Sequence, residues 1–270
     1  MGMNMIVYQI VHEFKRLGEV IAITLSGSCA IGRNDNYSDI DISIITERDI
    51  PIKKREAIVK KFSDFVEVNN RFGRLSDEFI LRNSSTQIDI SYFDFNWLEN
   101  ELKNVLEKYN ASVGYSTCFW HNVINSLIVF DKNGKFKDLK EKYTIEYPEE
   151  LKRNIVIKNY PILKNNFSAY YNEIEKAINR NDIVNLNNIM VAFLESYFDI
   201  IFAINEIPHP GEKRLLSIVN TMCNKVPNNA LEDIEKLIKD ISKSDNSILE
   251  DINEIIMQLD IILKSENLIN

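Results

Sequence analysis

"SGSCAIGRNDNYSDIDISIITE", residues 26–47, places a Gly-Ser pair ahead of two aspartates separated by one isoleucine. Its tail, DIDISIIT, alternates with the period of a β-strand. Side chains two apart on a strand share a face, so Ile40, Ile42 and Ile44 fall on one side. Asp39, Asp41 and Ser43 fall on the other. An otherwise apolar strand with two acids on one face needs a reason. Strand residues two apart are roughly 6.5–7 Å apart at Cα and point the same way. Two carboxylates drawn to about 4 Å repel by about 4 kcal/mol at an effective dielectric near 20. No lysine or arginine lies locally on that face. A divalent cation relieves the repulsion most directly, and hard oxygen donors with open positions suit Mg²⁺ bound to nucleotide phosphates.

Working outward, Gly27-Ser28 closes a short β-branched run, EVIAITLSGS. Glycine at a strand end lets backbone amides approach an anion with no Cβ in the way. Ser28 adds a hydroxyl, and a short helix after it would aim its N-terminus at phosphates. A third acid, Asp89, stands in TQIDISYF, where Ile88 and Ile90 mirror Ile40 and Ile42. If that strand lies beside the first, three carboxylates converge on one point. Solvated aspartates on an edge strand are the plain alternative; they account for Asp41 alone better than for all three.

Gly-Ser, nine intervening residues, Ser-Asp-Ile-Asp and a later strand aspartate together resemble the DNA polymerase β-like nucleotidyltransferase superfamily, across about residues 20–95. The resemblance implies that Asp39 and Asp41 hold two Mg²⁺ ions and that Asp89 completes one site. It also implies that Asp89 can take the proton of an acceptor hydroxyl, and that Gly27, Ser28 and Ser38 face the nucleotide. The chemistry that follows is two-metal transfer, one ion organising a triphosphate such as ATP and the other activating the attacking hydroxyl. One departure stands out. Many relatives read Gly-Ser-x-Ala-Arg-Gly, whereas GSCAIGR has Ile31 in the arginine's place and Arg33 two positions on. Arg33 is therefore kept apart from the expected site.

The remaining pattern predicts an α+β chain. An amphipathic helix opens it, PIKKREAIVKKFSDF is helical, and FVEVNNRF and DEFILRN join TQIDISYF as strands. NWLENELKNVLEKY and STCFWHNVINS read as helices, and LIVFDKNGKF as a strand reaching an Asn-Gly turn. After Tyr147-Pro148 the strand signals fade and helical spacing takes over. Two domains are expected: a nucleotidyltransferase domain with a mixed sheet and flanking helices at 1–147, then an all-helical bundle at 148–270. Pro161 should kink or divide the first helix of the bundle. Tyr170, Tyr171, Phe193, Tyr197, Phe198 and Phe202 fall at helical spacing and read as core. Trp120 reads as packing rather than as a base-stacking platform, and His121 has no Cys or His at zinc spacing.

Composition narrows the partners. The 270 residues carry a net charge of −8, which argues against broad phosphate-backbone binding to nucleic acid. Residues 1–147 hold 19 basic and 21 acidic side chains, and the remainder 13 and 19. The acidic second half suits a solvated helical surface or a cationic small molecule. No run of eighteen uninterrupted apolar residues occurs, so no membrane span is expected. The first residues read as a helix with charges inside it rather than a signal peptide. Gly2 is no myristoylation site, because Ile6 stands where Ser or Thr is needed. Cys29, Cys118 and Cys223, odd in number and far apart, read as free thiols of a reducing cytoplasm.

The two-part layout also looks like aminoglycoside and lincosamide nucleotidyltransferases. In NEIPHPGEKRLLSIV, Pro208, Pro210 and Gly211 break one helix and start another, leaving Lys213 and Arg214 in a first turn. Cations there oppose the helix dipole, and the resemblance assigns Lys213 to the triphosphate. The function expected is Mg²⁺-dependent transfer of a nucleoside monophosphate, AMP from ATP, to a hydroxyl of a small molecule such as an aminoglycoside. Two alternatives remain open: adenylylation of a protein tyrosine by an antitoxin-like enzyme, and a non-catalytic nucleotide-binding module. A helical ribonuclease fused to the same chain is not expected, since only His209 lies in the helical half. A monomer or homodimer is expected.

Overall fold

The computed structural model describes residues 5–26, 39–73 and 75–270. Gly27, Ser28, Ser38, Ile31, Arg33 and Cys29 lie outside the described residues. The chain is α+β, as its patterning implies: a mixed sheet with flanking helices, followed by a helical region. It divides into two compact units, one of residues 1–103 and 122–145, the other of 104–121 and 146–270.

Among the described residues the first unit holds six strands: β1 (Val20–Leu25), β2 (Ile40–Thr46), β3 (Val66–Asn70), β4 (Ser76–Ile80), β5 (Gln87–Asp94) and β6 (Leu127–Asp131). They form one sheet in the order β3-β4-β5-β2-β1-β6. β1 runs antiparallel to β2 and β6, β4 antiparallel to β3 and β5, and β2 parallel to β5. A parallel pair needs a crossover. Here α2 (Ile52–Val59) and the β3–β4 hairpin supply it, between β2 and β5.

One face of this sheet is the core. Ile42 and Ile44 of β2, Ile88 and Ile90 of β5 and Ile23 of β1 are all buried, against Ile10 and Phe14 of α1 (Met5–Phe14) and Val59 of α2. Each isoleucine so buried contributes about 2 kcal/mol. That clustering forces Asp41, Ser43, Asp89 and Ser91 onto the opposite, half-buried face. The alternation in β2 ends at Ile45 and Thr46, both buried, where the Thr46 hydroxyl donates to the Phe93 carbonyl at 3.3 Å.

α3 (Phe95–Leu106), α4 (Cys118–Asn125) and α5 (Lys135–Lys142) follow, and the later helices are α6 (Glu149–Leu163), α7 (Tyr170–Asn179) and α8 (Ile183–Ile204). Then come α9 (Leu215–Met222), α10 (Ala230–Asp240) and α11 (Ser247–Ser265). Pro161 does not divide its helix. It sits in the last turn of α6, with only two helical residues beyond it to be displaced, and both Asn165 and Asn166 amides donate to its carbonyl. α8 is long and apolar enough to cross a membrane by composition alone, but it is the central core helix of its unit. Phe193, Tyr197, Phe198 and Phe202 are buried in that core as their spacing implies, with Tyr170 and Tyr171 partly buried against it. Trp120 is buried beside Tyr147, ring centroids 5.4 Å apart.

A single cut near residue 147 differs from this division, since residues 104–121 pack with the helical unit. The reason is polar. Asp199, buried in α8, accepts from the Ser116 amide (2.9 Å), the Ser116 hydroxyl (2.6 Å) and the Asn159 amide group (3.2 Å). Asn159, itself buried in α6, accepts from the Gly114 amide at 3.0 Å. Two polar residues inside helices thus find their partners in the 112–116 backbone. The same loop holds the strap after α8: the His209 amide donates to the Thr117 hydroxyl at 2.8 Å, and the Gly211 amide to His209 Nδ1 at 3.1 Å.

Candidate active site

β2 and β5 pair in parallel with Ile40 against Ile88, Asp41 against Asp89, and Ser43 against Ser91. The two aspartates therefore stand side by side on neighbouring strands, whose spacing is about 4.8 Å. Asp39 lies one residue ahead of β2, exposed. On the far side of β5, Glu78 of β4 pairs with Asp89, and Glu67 of β3 pairs with Glu78. One row across four strands thus reads Glu67, Glu78, Asp89, Asp41. The next row on the same face is hydroxylic: Ser76, Ser91, Ser43.

The row ends at β1. The Ser26 amide donates to the Asp41 carbonyl at 3.0 Å, and the Ser26 and Ser43 hydroxyls are 3.1 Å apart. Glu78 is fixed in place, its Oε1 accepting from the Asn70 side-chain amide at 3.0 Å and the Ser76 hydroxyl at 3.3 Å.

Asp89 is the most perturbed member. Burial, then the charges of Glu78, Asp41, Asp39 and Asp77, push its carboxyl up to about 6. Its Oδ1 is buried with no hydrogen-bond partner. A buried acceptor oxygen beside a second carboxylate, on a row of hard oxygen donors, fits a divalent cation such as Mg²⁺. The expected convergence of three carboxylates is nevertheless not preassembled. Among the described residues, no group of three or more His, Cys, Asp or Glu side chains forms a metal-binding cluster. The sheet brings Asp41 and Asp89 into register, while Asp39 is carried on the exposed segment leading into β2.

Lys213 is not among the residues the sheet brings together; it belongs to the helical unit, where it is exposed. Nor does it occupy a first helical turn. α9 begins at Leu215, and Arg214 caps it with a left-handed φ of 60°. The placement of two cations against the helix dipole is therefore replaced by a turn ahead of the helix.

A second arrangement, not foreseen from the sequence, lies on the core face one residue away. Asp77, fully buried in β4, pairs with Ile90 of β5. It accepts from Arg55 Nη1 (2.9 Å), the Asn69 amide (2.8 Å) and the Tyr92 hydroxyl (2.6 Å). Burial and the Asp77 charge hold the Tyr92 phenol well above its ordinary range, so it remains a donor. The one signal for Glu78 was alternation in SDEFI, which sets Asp77 and Phe79 on one face and Glu78 on the other.

Two stretches of the chain match protein-family models. Residues 7–106 match the Nucleotidyltransferase domain. That span runs from α1 to the end of α3 and includes both strands of the aspartate pair, and the match supports nucleotidyl transfer in general. Residues 119–214 match a domain of unknown function, DUF4037. Among solved structures, the chain is similar to a nucleotidyltransferase-like protein from Exiguobacterium sibiricum 255-15. The two are 14% identical with a TM-score of 0.44, over 98% of this chain and 76% of the other. No curated protein matches the chain.

Proposed function

We propose that the chain is a Mg²⁺-dependent nucleotidyltransferase that moves AMP from ATP to a hydroxyl of a cationic small molecule, an aminoglycoside-like compound being the acceptor best suited to it. The observation that carries this reading is the in-register pair Asp41–Asp89, with Asp89 Oδ1 buried and without a partner. Asp39, Asp41 and Asp89 would hold the cations. When bound, these ions would neutralise the triphosphate and lower the barrier to attack on its α-phosphorus.

The chain's own groups then have distinct tasks. The carboxylate of Asp89 accepts the proton of the acceptor hydroxyl as the new oxygen–phosphorus bond forms. The bond between the α-phosphorus and its bridging oxygen breaks, and pyrophosphate leaves. In the metal-free protein burial and the neighbouring carboxylates raise this carboxyl to about 6, so it is ionised and able to accept a proton at neutral pH. The Glu78 and Glu67 carboxylates continue the row beyond Asp89 and favour an acceptor bearing ammonium groups.

The test is transfer from α-labelled ATP with Mg²⁺ to a panel of amino-sugar and neutral hydroxyl acceptors, comparing the wild type with Asp41→Asn. Label on an amino-sugar, lost in the variant, is the expected result. Label appearing instead on a co-purified protein would replace the small-molecule acceptor with a protein one. Absence of label on any acceptor would remove the reading.

A further inference from the structure

We propose that Asp77 is a positioning residue for the carboxylates on the other face of the sheet: tied under β4 to Arg55, Asn69 and Tyr92, it keeps β5 in the register that sets Asp89 between Glu78 and Asp41. The role given to those carboxylates rests on the proposed nucleotidyl transfer; the tie itself does not.

Asp89 faces a like charge on both neighbouring strands, Glu78 on β4 and Asp41 on β2. Like charges directly opposite each other weaken strand pairing. Burial of Ile88 and Ile90 excludes a slip of one residue, but a slip of two keeps both faces and would carry Asp89 away from Asp41. Something must therefore hold β5 at this point, and the backbone ladder alone does not distinguish the two registers.

Asp77 acts at the neighbouring pair. It lies beside Glu78 in sequence and opposite Ile90, which is beside Asp89. Its two oxygens gather donors from three elements: Arg55 of α2, the Asn69 amide of β3 and the Tyr92 hydroxyl of β5. Arg55 also donates from Nη2 to Asn69 Oδ1 at 3.2 Å, and its guanidinium stands 4.6 Å from the centroid of the Tyr92 ring. β3 is built to take part. Its register against β4 shifts between Val68 and Asn70, and Asn69 between them has a left-handed φ of 65°. A bulge of this kind re-aims one residue of a strand, here directing an amide at Asp77. Burying an ion pair adds little net stability, but it can specify one arrangement over its competitors, and three strands converge on this one.

Two variants separate positioning from simple stability. Tyr92→Phe removes the tie to β5 and leaves the ion pair. Arg55→Met combined with Asp77→Asn removes both charges together, so that no buried charge is left uncompensated. Hydrogen exchange is compared between residues 87–94 and 20–25, with Mn²⁺ affinity measured by calorimetry and kcat and KM measured for ATP. The expected result is exchange in 87–94 faster by about tenfold or more while 20–25 is unaffected. Mn²⁺ affinity falls by about tenfold, as for loss of a group supporting a metal ligand, and kcat falls while KM for ATP stays within about twofold. Unchanged exchange in β5, or equal acceleration in both strands, overturns the proposal. A wild type that neither binds Mn²⁺ nor transfers AMP counts against the proposed function instead, and the exchange comparison still decides the role of Asp77.

Discussion

Asp41 and Asp89 are register partners on the parallel strands β2 and β5, so the two acids share one row of one sheet face. At about 5 Å and a dielectric near 20, two such charges repel by about 3 kcal/mol, and partial exposure screens this to about 1. Asp89→Asn should therefore leave the metal-free protein as stable as the wild type or more so by about 1 kcal/mol, measured by urea unfolding. The same change should lower transfer by about a hundredfold or more, because it removes a charge on which the reacting phosphate depends. A gain in stability with loss of activity marks a functional carboxylate. Loss of both would mark a structural one.

The pH dependence follows from the same pair. An aspartate ordinarily near 3.8 is raised to about 6 in the folded protein, by burial first and then by Glu78, Asp41, Asp39 and Asp77. The folded state thus holds the proton more tightly than the unfolded state. Stability from this group is full below about pH 4 and is lost as pH rises towards 6. Without divalent cations, the wild type should lose about 1 kcal/mol relative to Asp89→Asn across that window, after discounting for exposure. Added Mg²⁺ should abolish the difference, since a bound cation favours the ionised form. Urea titrations at pH 4, 5, 6 and 7 with and without Mg²⁺ check both statements.

The faces of this sheet could be read in advance; its register could not. The period of two in residues 39–44 and 87–91 is enough to put isoleucines inward and aspartates outward, because burying Ile42, Ile44, Ile88 and Ile90 leaves no other choice. Which residue of β5 stands beside Asp41 depends on the crossover through α2, β3 and β4, a long-range matter that no local pattern encodes. Glu78 went unnoticed for that reason. Asp77 and Arg55 went unnoticed for another: isolated charges read as surface, and only their mutual hydrogen bonds make burial tolerable. Asn159 and Asp199 are likewise single polar residues in helical stretches, and nothing local in the sequence marks the attachment of residues 112–116 to α6 and α8.

That attachment can be tested through Ser116. Its amide and hydroxyl both serve Asp199, which is otherwise buried and is pushed up to about 7 by burial. Ser116→Ala removes the hydroxyl donor and should cost about 1–3 kcal/mol, the range for a buried acceptor that loses its partner. It should also raise the Asp199 carboxyl further, since one group favouring the ionised form is gone. Limited proteolysis should cut within residues 109–117 faster in the variant, while sites in β1 and β2 are unaffected.

Lys213 offers a test of the resemblance itself. It is exposed in the turn before α9. As a partner of the triphosphate, its loss in Lys213→Ala should raise KM for ATP by about three- to tenfold and leave kcat within about twofold, the signature of uniform binding. The effect should shrink as salt is raised, because an exposed cation is readily screened. Unchanged KM at low salt would leave Lys213 as a surface residue.

The row beyond Asp89 bears on the acceptor. Glu78 is held by Asn70 and Ser76, so its charge is already oriented before any acceptor arrives. A carboxylate fixed in this way gains more from an incoming ammonium group than a free one, since little ordering is left to do. Glu78→Gln keeps the size and the acceptor oxygen for Asn70 and Ser76 but loses the charge. KM for an acceptor with several amino groups should then rise by about tenfold, with KM for ATP unchanged. A neutral hydroxyl acceptor, poorer at the outset, should be used no less well by the variant, because it has no cation to lose. If charged and neutral acceptors respond alike, the carboxylate serves the sheet or the nucleotide rather than the acceptor, and the preference for a cationic substrate fails. Steady-state kinetics at two salt concentrations separate these outcomes, as only the electrostatic contribution weakens with ionic strength.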